Sequence, residues 1–189
     1  MFIDGNNLYM GLKQCFRIER LNLEPFCRYI VRERELCAIY YADANFLQEL
    51  GKENYARQQS YFSYVRRIEN LIFRQGYYSS WTTPPTEKRT DVHLATDLVD
   101  LCHRDCFDVA YLISGDADLT PAVDIVLREG KHVINVYLDK PNRNSRAIRK
   151  SHQVDFIEIT RSVAQQFMWD ITTSNKTPVP FGTGDPGSK

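Results

Sequence analysis

The chain has 189 residues, 43% of them hydrophobic and 25% charged, which is enough for one domain with a full core. Its 24 basic and 24 acidic residues cancel, which excludes a uniformly basic surface, so a nucleic-acid partner must bind through local patches. No apolar run approaches the roughly 20 residues that span a bilayer, and the apolar start of the chain meets Asp4 at once. We therefore expect a cytoplasmic protein with no signal peptide and no membrane partner.

The chain alternates strand patterns with helix patterns. Runs of apolar residues indicate strands, and apolar residues that recur every three or four positions indicate helices. In chain order, the predicted elements are a strand at 1–4, helices at 7–16 and 25–34, a strand at 36–41, a long helix at 54–75, a strand at 77–82, a helix at 91–103, a strand at 108–114, a helix at 119–129, strands at 133–138 and 155–159, and a short helix to 168. This alternation predicts an α/β fold with a mostly parallel sheet that helices cover on both faces.

The boundaries of these elements carry three further predictions. Asn6 or Asn7 suits the N-cap of the first helix, and Gly76 ends the long helix. The strand at 77–82 is expected at an edge of the sheet, where it could pair with a second copy, so a homodimer stays open. Residues 171–189 are rich in Thr, Ser, Asn, Pro and Gly, which predicts a single domain at 1–170 followed by a disordered tail.

The five cysteines are an odd and scattered set, which argues against a disulfide framework. Cys102 and Cys106 lie one helical turn apart, with His103 between them. A structural zinc site needs four ligands in paired clusters, so we expect free thiols at both positions.

Four acidic residues stand at positions where ligands bind in α/β proteins. Asp4 and Asp116 stand at the ends of predicted strands, Asp118 lies two residues after Asp116, and Asp91 opens a predicted helix. Ligands of open α/β sheets lie beyond the carboxyl ends of the strands. Two carboxylates about 4 Å apart repel by roughly 4 kcal/mol at an effective dielectric of 20, so such a cluster would take up protons or a cation. Oxygen ligands without His or Cys favour Mg²⁺ or Mn²⁺. The alternative is that each Asp only caps a helix or forms a turn.

Three polar residues near these acids are candidates for a supporting role. Asn7 could orient a water or contact a phosphate, or only cap the first helix. Ser114 could do the same, or satisfy a backbone group. Lys88 could pair with Asp91 or with a phosphate, or remain solvated.

Two basic groups are candidates for contact with a nucleic acid. The first lies in a segment without acidic residues and comprises Arg143, Arg146, Arg149 and Lys150. The second lies on the predicted long helix and includes Arg57, Arg66, Arg67 and Arg74, with tyrosines nearby. Such tyrosines could stack on bases; the alternative is a solvated helix face with tyrosines packed in the core.

Three motifs of the chain together resemble those of NYN domains, and in particular of the LabA-like branch of the PIN-like nuclease superfamily. The motifs are Phe2-Ile3-Asp4-Gly5-Asn6-Asn7, then Lys88-Arg89-Thr90-Asp91 through Asp97, then Leu112-Ile113-Ser114-Gly115-Asp116-Ala117-Asp118-Leu119. The resemblance implies a PIN-like three-layer α/β/α sandwich, a Mg²⁺ or Mn²⁺ site and ribonuclease activity. It also implies that Asp4, Asp91, Asp116 and Asp118 are the metal ligands and catalytic residues. The family pattern carries an acid at Asp97, which leaves open whether this residue supports the metal site or lies on the surface.

We therefore expect a metal-dependent endoribonuclease that hydrolyses RNA, single-stranded RNA being favoured. A second hypothesis is a catalytically silent RNA-binding or regulatory module of the same fold. A third is a phospho-receiver or phosphatase, for which Lys140 after the 133–138 strand is a partial match.

Overall fold

The computed structural model describes residues 1–48, 51–79, 86–138 and 154–170. Seven strands form one sheet in the order β4-β3-β2-β1-β5-β6-β7. The strands are β1 Phe2–Asp4, β2 Ile39–Ala44, β3 Leu71–Ser79, β4 Thr86–Lys88, β5 Val109–Ile113, β6 His132–Leu138 and β7 Asp155–Ile159. All neighbours in this sheet are parallel except the pair of β3 and β4.

In the described part of the chain, six helices accompany the sheet. They are α1 Gly5–Phe16, α2 Leu23–Val31, α3 Lys52–Val65, α4 Thr90–His103, α5 Thr120–Arg128 and α6 Arg161–Gln166, with a 3₁₀ turn at Ala117–Leu119 before α5. Together with the parallel pairing, they confirm the predicted α/β fold.

Alternation along the central strands divides the core into two clusters. Phe2 and Leu112 belong to a cluster with residues of α4 and α5, whereas Ile3 and Ile113 belong to one with residues of α1, α2 and α3. Successive side chains of a strand point to opposite faces, so both faces of the sheet are covered by helices.

The helix predicted at 54–75 is wrong from residue 66 onward, and Gly76, which was predicted to end it, lies within β3. The observed α3 ends at Val65, Asn70 adopts a left-handed φ of 58°, and β3 begins at Leu71. Leu71 and Ile72 fit the helical period, but β3 instead extends the sheet by pairing residue by residue with β2. Local periodicity cannot separate a short apolar strand from a continuing helix, and the partner strand decides.

Three smaller expectations also need correction or fall outside the described residues. β3 lies between β2 and β4, so the strand predicted at 77–82 is not an edge in the part that is described, and the argument for pairing of two copies there is lost. Asp4, not Asn6 or Asn7, caps α1. The predicted tail at 171–189 lies outside the described residues. Over the described ranges, no helix is long and apolar enough to cross a membrane.

The order of the strands creates a switch point between β1 and β5. From β1 the chain proceeds to β2 and β3 on one side, then returns through α4 to β5 on the other side of β1. In open α/β sheets, the crevice for ligands forms where the connections diverge in this way, at the carboxyl ends of the strands. The residues after β1 and β5 therefore border that crevice.

Gly5 allows the start of α1 to lie against β2. A Cβ at this position would lie 2.4 Å from Tyr41 Oη and 2.6 Å from Asp43 Oδ2. Both side chains are buried, and Tyr41 Oη donates a hydrogen bond of 2.8 Å to Asp43 Oδ2, so neither can move away without losing this contact.

We expect Gly5→Ala to lower the free energy of unfolding by about 3 kcal/mol or more, because it overpacks a rigid contact. Gly130→Ala is the control: Gly130 has a φ of +76° and no atom within 4 Å of the added Cβ, so only the backbone cost of about 1 kcal/mol applies. Urea unfolding of both variants gives the measurement. Equal losses in the two would contradict the packing argument.

Candidate functional site

Asp4 lies at the carboxyl end of β1 with only 5% of its surface exposed. Its Oδ1 accepts a hydrogen bond of 2.9 Å from the backbone N–H of Asn7, which caps α1. Its Oδ2 accepts a hydrogen bond of 3.0 Å from Ser114 Oγ, 110 residues away in sequence. The first and third motifs of the sequence therefore meet at this carboxylate.

The loop after β5 is tied to Asp4 by a short chain of hydrogen bonds. Ser114 Oγ accepts from the backbone N–H of Asp116 at 3.0 Å, and Asp116 Oδ1 accepts from the N–H of Asp118 at 3.0 Å. Asn7 Oδ1 accepts from the N–H of Gly115 at 3.3 Å. Asn7 and Ser114 thus each connect the end of β1 to the loop that carries two of the predicted ligands.

Asn135 is a supporting residue that the sequence analysis missed. It lies on β6 with no exposed surface, and its Nδ2 donates to the carbonyl oxygens of Leu112 at 3.1 Å and Ser114 at 2.9 Å. These bonds hold the backbone at the end of β5, where the acidic loop begins. The sequence did contain one indication of this role: Asn135 is the amide side chain in the apolar run Val133–Leu138, and a buried polar residue needs a hydrogen-bond partner.

The four predicted acids form one electrostatic cluster. Burial raises the pKa of Asp4 to about 7, and the charge of Asp91 adds to the rise. Burial also raises the pKa of Asp91, and the charges of Asp116 and Asp118 raise it further. Within the described ranges, neither lysine nor arginine forms an ion pair with any of the four. Protons or a cation must therefore offset their repulsion.

Glu87 on β4 belongs to the same cluster, although the sequence analysis did not select it. Its Oε2 accepts a hydrogen bond of 2.7 Å from Asn6 Nδ2. Burial raises the pKa of Glu87 to about 7, and the charges of Asp43 and Asp91 contribute. The run Glu87-Lys88-Arg89 has the composition of a solvated segment, so only the antiparallel pairing of β4 with β3 reveals the burial of this carboxylate.

Asp97 is held elsewhere by an arginine. Both of its oxygens accept from Arg74, at 2.7 and 2.8 Å, and the Asp97 side chain is 13% exposed. This bidentate pair ties α4 to β3. Arg74, which the sequence placed on the long helix as a nucleic-acid contact, is in this way part of the sheet.

The other predicted site residues are less connected. Lys88 is exposed on β4, opposite Tyr77. Arg143, Arg146, Arg149 and Lys150 lie outside the described residues. All five cysteines are free thiols, of which Cys27 and Cys102 are buried.

The donors of the cluster suit a hard divalent cation. Carboxylate, hydroxyl and amide oxygens surround the end of β1, and the cluster contains neither histidine nor cysteine. Among the described residues, however, no three acidic, histidine or cysteine side chains surround one point as ligands of a single ion. Mg²⁺ commonly keeps several waters and takes only one or two carboxylates from the protein, and the cluster can supply these.

Two comparisons with known proteins gave a match. The family model of the NYN domain matches residues 1–160. The crystal structure of a protein of unknown function from Vibrio parahaemolyticus is similar in fold, with a TM-score of 0.65 and 18% sequence identity, over 84% of this chain and 90% of that one. The comparison with curated proteins gave no significant match.

We expect Asp4→Asn to stabilise the metal-free protein at pH 7.5 by at least about 1 kcal/mol, which is a rise of roughly 2–4 °C in Tm. Folding raises the pKa of Asp4 from its ordinary 3.8 to about 7, so ionisation costs stability progressively between pH 4 and 7, and the full cost is present above pH 7. Asparagine removes the charge and still caps α1. The gain should vanish below pH 4, where the carboxyl is protonated in both the folded and unfolded states.

The matched control for that experiment is Asp97→Asn. This variant breaks the bidentate contact with Arg74, so we expect it to lower Tm at pH 7.5. Thermal unfolding followed by circular dichroism at pH 3.5 and pH 7.5 compares the two. A loss of stability in Asp4→Asn at pH 7.5 would contradict the assignment of Asp4 to an uncompensated acidic cluster.

Proposed function

We propose that this chain, which belongs to the NYN domain family of the PIN-like nuclease superfamily, is a Mg²⁺- or Mn²⁺-dependent endoribonuclease. The observation that supports this most is the joining of Asp4 to the Asp116 loop through Ser114 and Asn7. This network gathers carboxylates from distant parts of the chain at the switch point of the sheet, and no basic residue of the described ranges forms an ion pair with them.

The proposed reaction is hydrolysis of an RNA phosphodiester. The oxygen of a water molecule forms a bond to phosphorus, the bond from phosphorus to the leaving ribose oxygen breaks, and that oxygen takes up a proton. A bound divalent cation would polarise a phosphoryl oxygen and lower the pKa of the attacking water.

In this proposal the chain's own residues bind the cation and hold the geometry. Asp4, Asp91, Asp116 and Asp118 are the ligands and catalytic residues. Ser114 and Asn7 orient Asp4 and the loop after β5, and Asn135 fixes the backbone of that loop from beneath. Asp4 with a pKa of about 7 holds a proton in part of the molecules at neutral pH, and cation binding releases it.

Several finer features belong to the same proposal. We assign the chain to the LabA-like branch, its architecture to the three-layer α/β/α sandwich, its substrate to single-stranded RNA and its location to the cytoplasm. The three sequence motifs support the LabA-like branch, and the cover of helices on both faces of the sheet supports the sandwich.

A catalytically silent RNA-binding module is the second candidate. It is favoured by the absence, within the described residues, of three side chains arranged around one cation. Such a module would bind RNA with the same surface but leave it intact with Mg²⁺ or Mn²⁺ present.

We expect Asp116→Asn and Asp4→Asn each to lower the rate of cleavage of a single-stranded RNA by at least about 100-fold, because each removes a charge from the cation site. Excess EDTA should abolish cleavage by the unaltered protein, and Mn²⁺ should restore it. The assay follows a 5′-labelled oligoribonucleotide on a denaturing gel.

Asp100→Asn is the matched control for the cleavage assay. Asp100 lies on the same helix as Asp91 but is exposed and pairs with Arg104, so its variant should keep full activity. Full activity in both Asp116→Asn and Asp4→Asn would reject the metal site, and RNA binding without cleavage by the unaltered protein would favour the silent module.

The basic segment remains a prediction from the sequence, and its test is the salt dependence of RNA binding. We expect the double variant Arg146→Gln, Arg149→Gln to reduce the slope of log K against log [salt] by about 1.4, since each phosphate contact on a single strand contributes about 0.7. Fluorescence anisotropy with the Asp116→Asn protein avoids cleavage during the titration. A slope equal to that of the parent would exclude this segment from phosphate contact.

A further inference from the structure

A cavity of about 570 Å³ lies beside α1 and contains none of the residues of the acidic cluster. Its walls come from α1 and the segment that follows it, the segment after β2, the first half of α3 and the segment after α6. The volume lies within the range of pockets that hold small molecules.

Arg20 is a buried cation in the wall of this cavity, with 8% of its surface exposed. Its ion pair with Asp43 spans 3.5 Å, and the rings of Tyr9 and Tyr61 cover its guanidinium at 4.2 and 4.9 Å. A guanidinium has five N–H donors, and in the part of the chain that is described only this one carboxylate pairs with it. The arginine therefore has donors to spare for an anion that enters the cavity.

Arginines outnumber acidic residues among the side chains that line the cavity. Three arginines line it, Arg17, Arg20 and Arg57, against two acidic residues, Glu19 and Asp170. Arg57, whose side chain is 58% exposed, pairs with Glu53 at 2.8 Å along α3 and with Glu19 of the cavity wall at 3.8 Å. Both are exposed pairs of small energy that a phosphate can displace. Arginine matches the geometry of phosphate oxygens better than lysine does.

Aromatic side chains form the rest of the wall. Tyr9 and Phe46 meet edge to face with their ring centroids 5.9 Å apart. Trp169, in the segment after α6, also lines the cavity. The buried Trp169 Nε1–H lacks an acceptor among the described residues. Arginines combined with aromatic rings are the means by which proteins hold single-stranded nucleic acids, since bases stack on the rings and phosphates contact the guanidinium groups.

Contacts through Gly5 connect this cavity to the acidic cluster. Gly5 follows Asp4 directly and lies against Asp43 Oδ2, the atom that pairs with Arg20. Tyr9 is five residues after Asp4 on the capped helix, which is about 7.5 Å along the helix axis. The cavity and the acidic cluster therefore border the same first turns of α1.

We propose that this cavity, which we call the nucleotide cavity, binds one unstacked nucleotide of the RNA strand whose scissile phosphate lies at the acidic cluster. The base packs against Tyr9, Phe46 and Trp169, and the phosphate contacts Arg57 and Arg20. This inference rests on the ribonuclease function proposed above. It supplies a physical reason for selecting single strands, because a duplex keeps its bases stacked and paired.

Tryptophan fluorescence tests the proposal on the full chain. The chain has two tryptophans, so Trp81→Phe leaves Trp169 as the reporter, and Asp116→Asn in the same protein prevents cleavage. Hexauridylate is expected to quench Trp169, UMP to do so more weakly, and uridine or inorganic phosphate alone to do so least. An RNA duplex of hexauridylate with hexaadenylate should not quench.

The paired variants are Arg57→Gln and Arg28→Gln. Each arginine forms an exposed pair with a glutamate one helical turn earlier, at 2.8 Å for Arg57 and 3.0 Å for Arg28. Of the two, Arg57 lines the cavity, where it also pairs with Glu19 at 3.8 Å. Arg57→Gln should weaken hexauridylate binding by about tenfold, the effect of losing a charged hydrogen bond, and Arg28→Gln should leave it unchanged. Both variants fold if their circular dichroism and Tm match the parent, which keeps the comparison valid.

Three results would overturn the proposal. The first is hexauridylate binding that leaves the emission of Trp169 unchanged, and the second is equal affinities of the two arginine variants for hexauridylate. The third is binding of UMP as tight as that of hexauridylate, which would make the cavity a site for free nucleotides.

Each of these results can occur while the unaltered protein still cleaves RNA in an Asp116-dependent way, so the proposed cavity can be rejected while the proposed nuclease function stands. Conversely, Arg57-dependent quenching in a protein that never cleaves RNA would support the cavity and reject the nuclease.

Discussion

The carboxylate of Asp4 is taken out of water at the carboxyl end of β1, and the arrangement of the site depends on how it is held there. One oxygen caps α1 and the other accepts the hydroxyl of Ser114 from the neighbouring strand. This couples the start of a helix to the loop after β5. The same loop carries Asp116 and Asp118, so a single buried group sets the relative positions of the proposed ligands.

Comparison of three buried or half-buried carboxylates shows how unusual this group is within the described chain. Asp43 lies beside the Arg20 guanidinium, and Asp97 accepts two hydrogen bonds from Arg74. Asp4 instead faces the further negative charges of Asp91 and Glu87. Burial without a cationic partner costs stability once the group ionises. Binding and catalytic sites commonly contain buried groups that lower stability in this way. The two pairs with arginine instead stabilise the packing of the fold.

The first turns of α1 separate two regions of opposite character. The acidic cluster on one side suits a divalent cation, and the arginine-lined nucleotide cavity beside Tyr9 suits a phosphate and a base. A strand of nucleic acid needs both, since its phosphates require positive charge while the scissile phosphate must approach a cation held by carboxylates. Gly5 allows the start of α1 to lie against β2, because a larger residue would clash with the Tyr41 and Asp43 side chains.

The sequence by itself determined the alternation of strands and helices, because hydrophobic periodicity is local and strong in this chain. It also determined that Asp4 and Asp116 follow strands, and parallel strands bring such residues to one edge of the sheet. The tertiary structure alone decided where α3 ends and β3 begins, since Leu71 pairs with Ile39 of another strand. It decided as well that Glu87 joins the acidic cluster while Asp97 pairs with Arg74. The physical reason is the same in each case: the charge state, burial and partners of a side chain depend on neighbours distant in sequence, which no local pattern specifies.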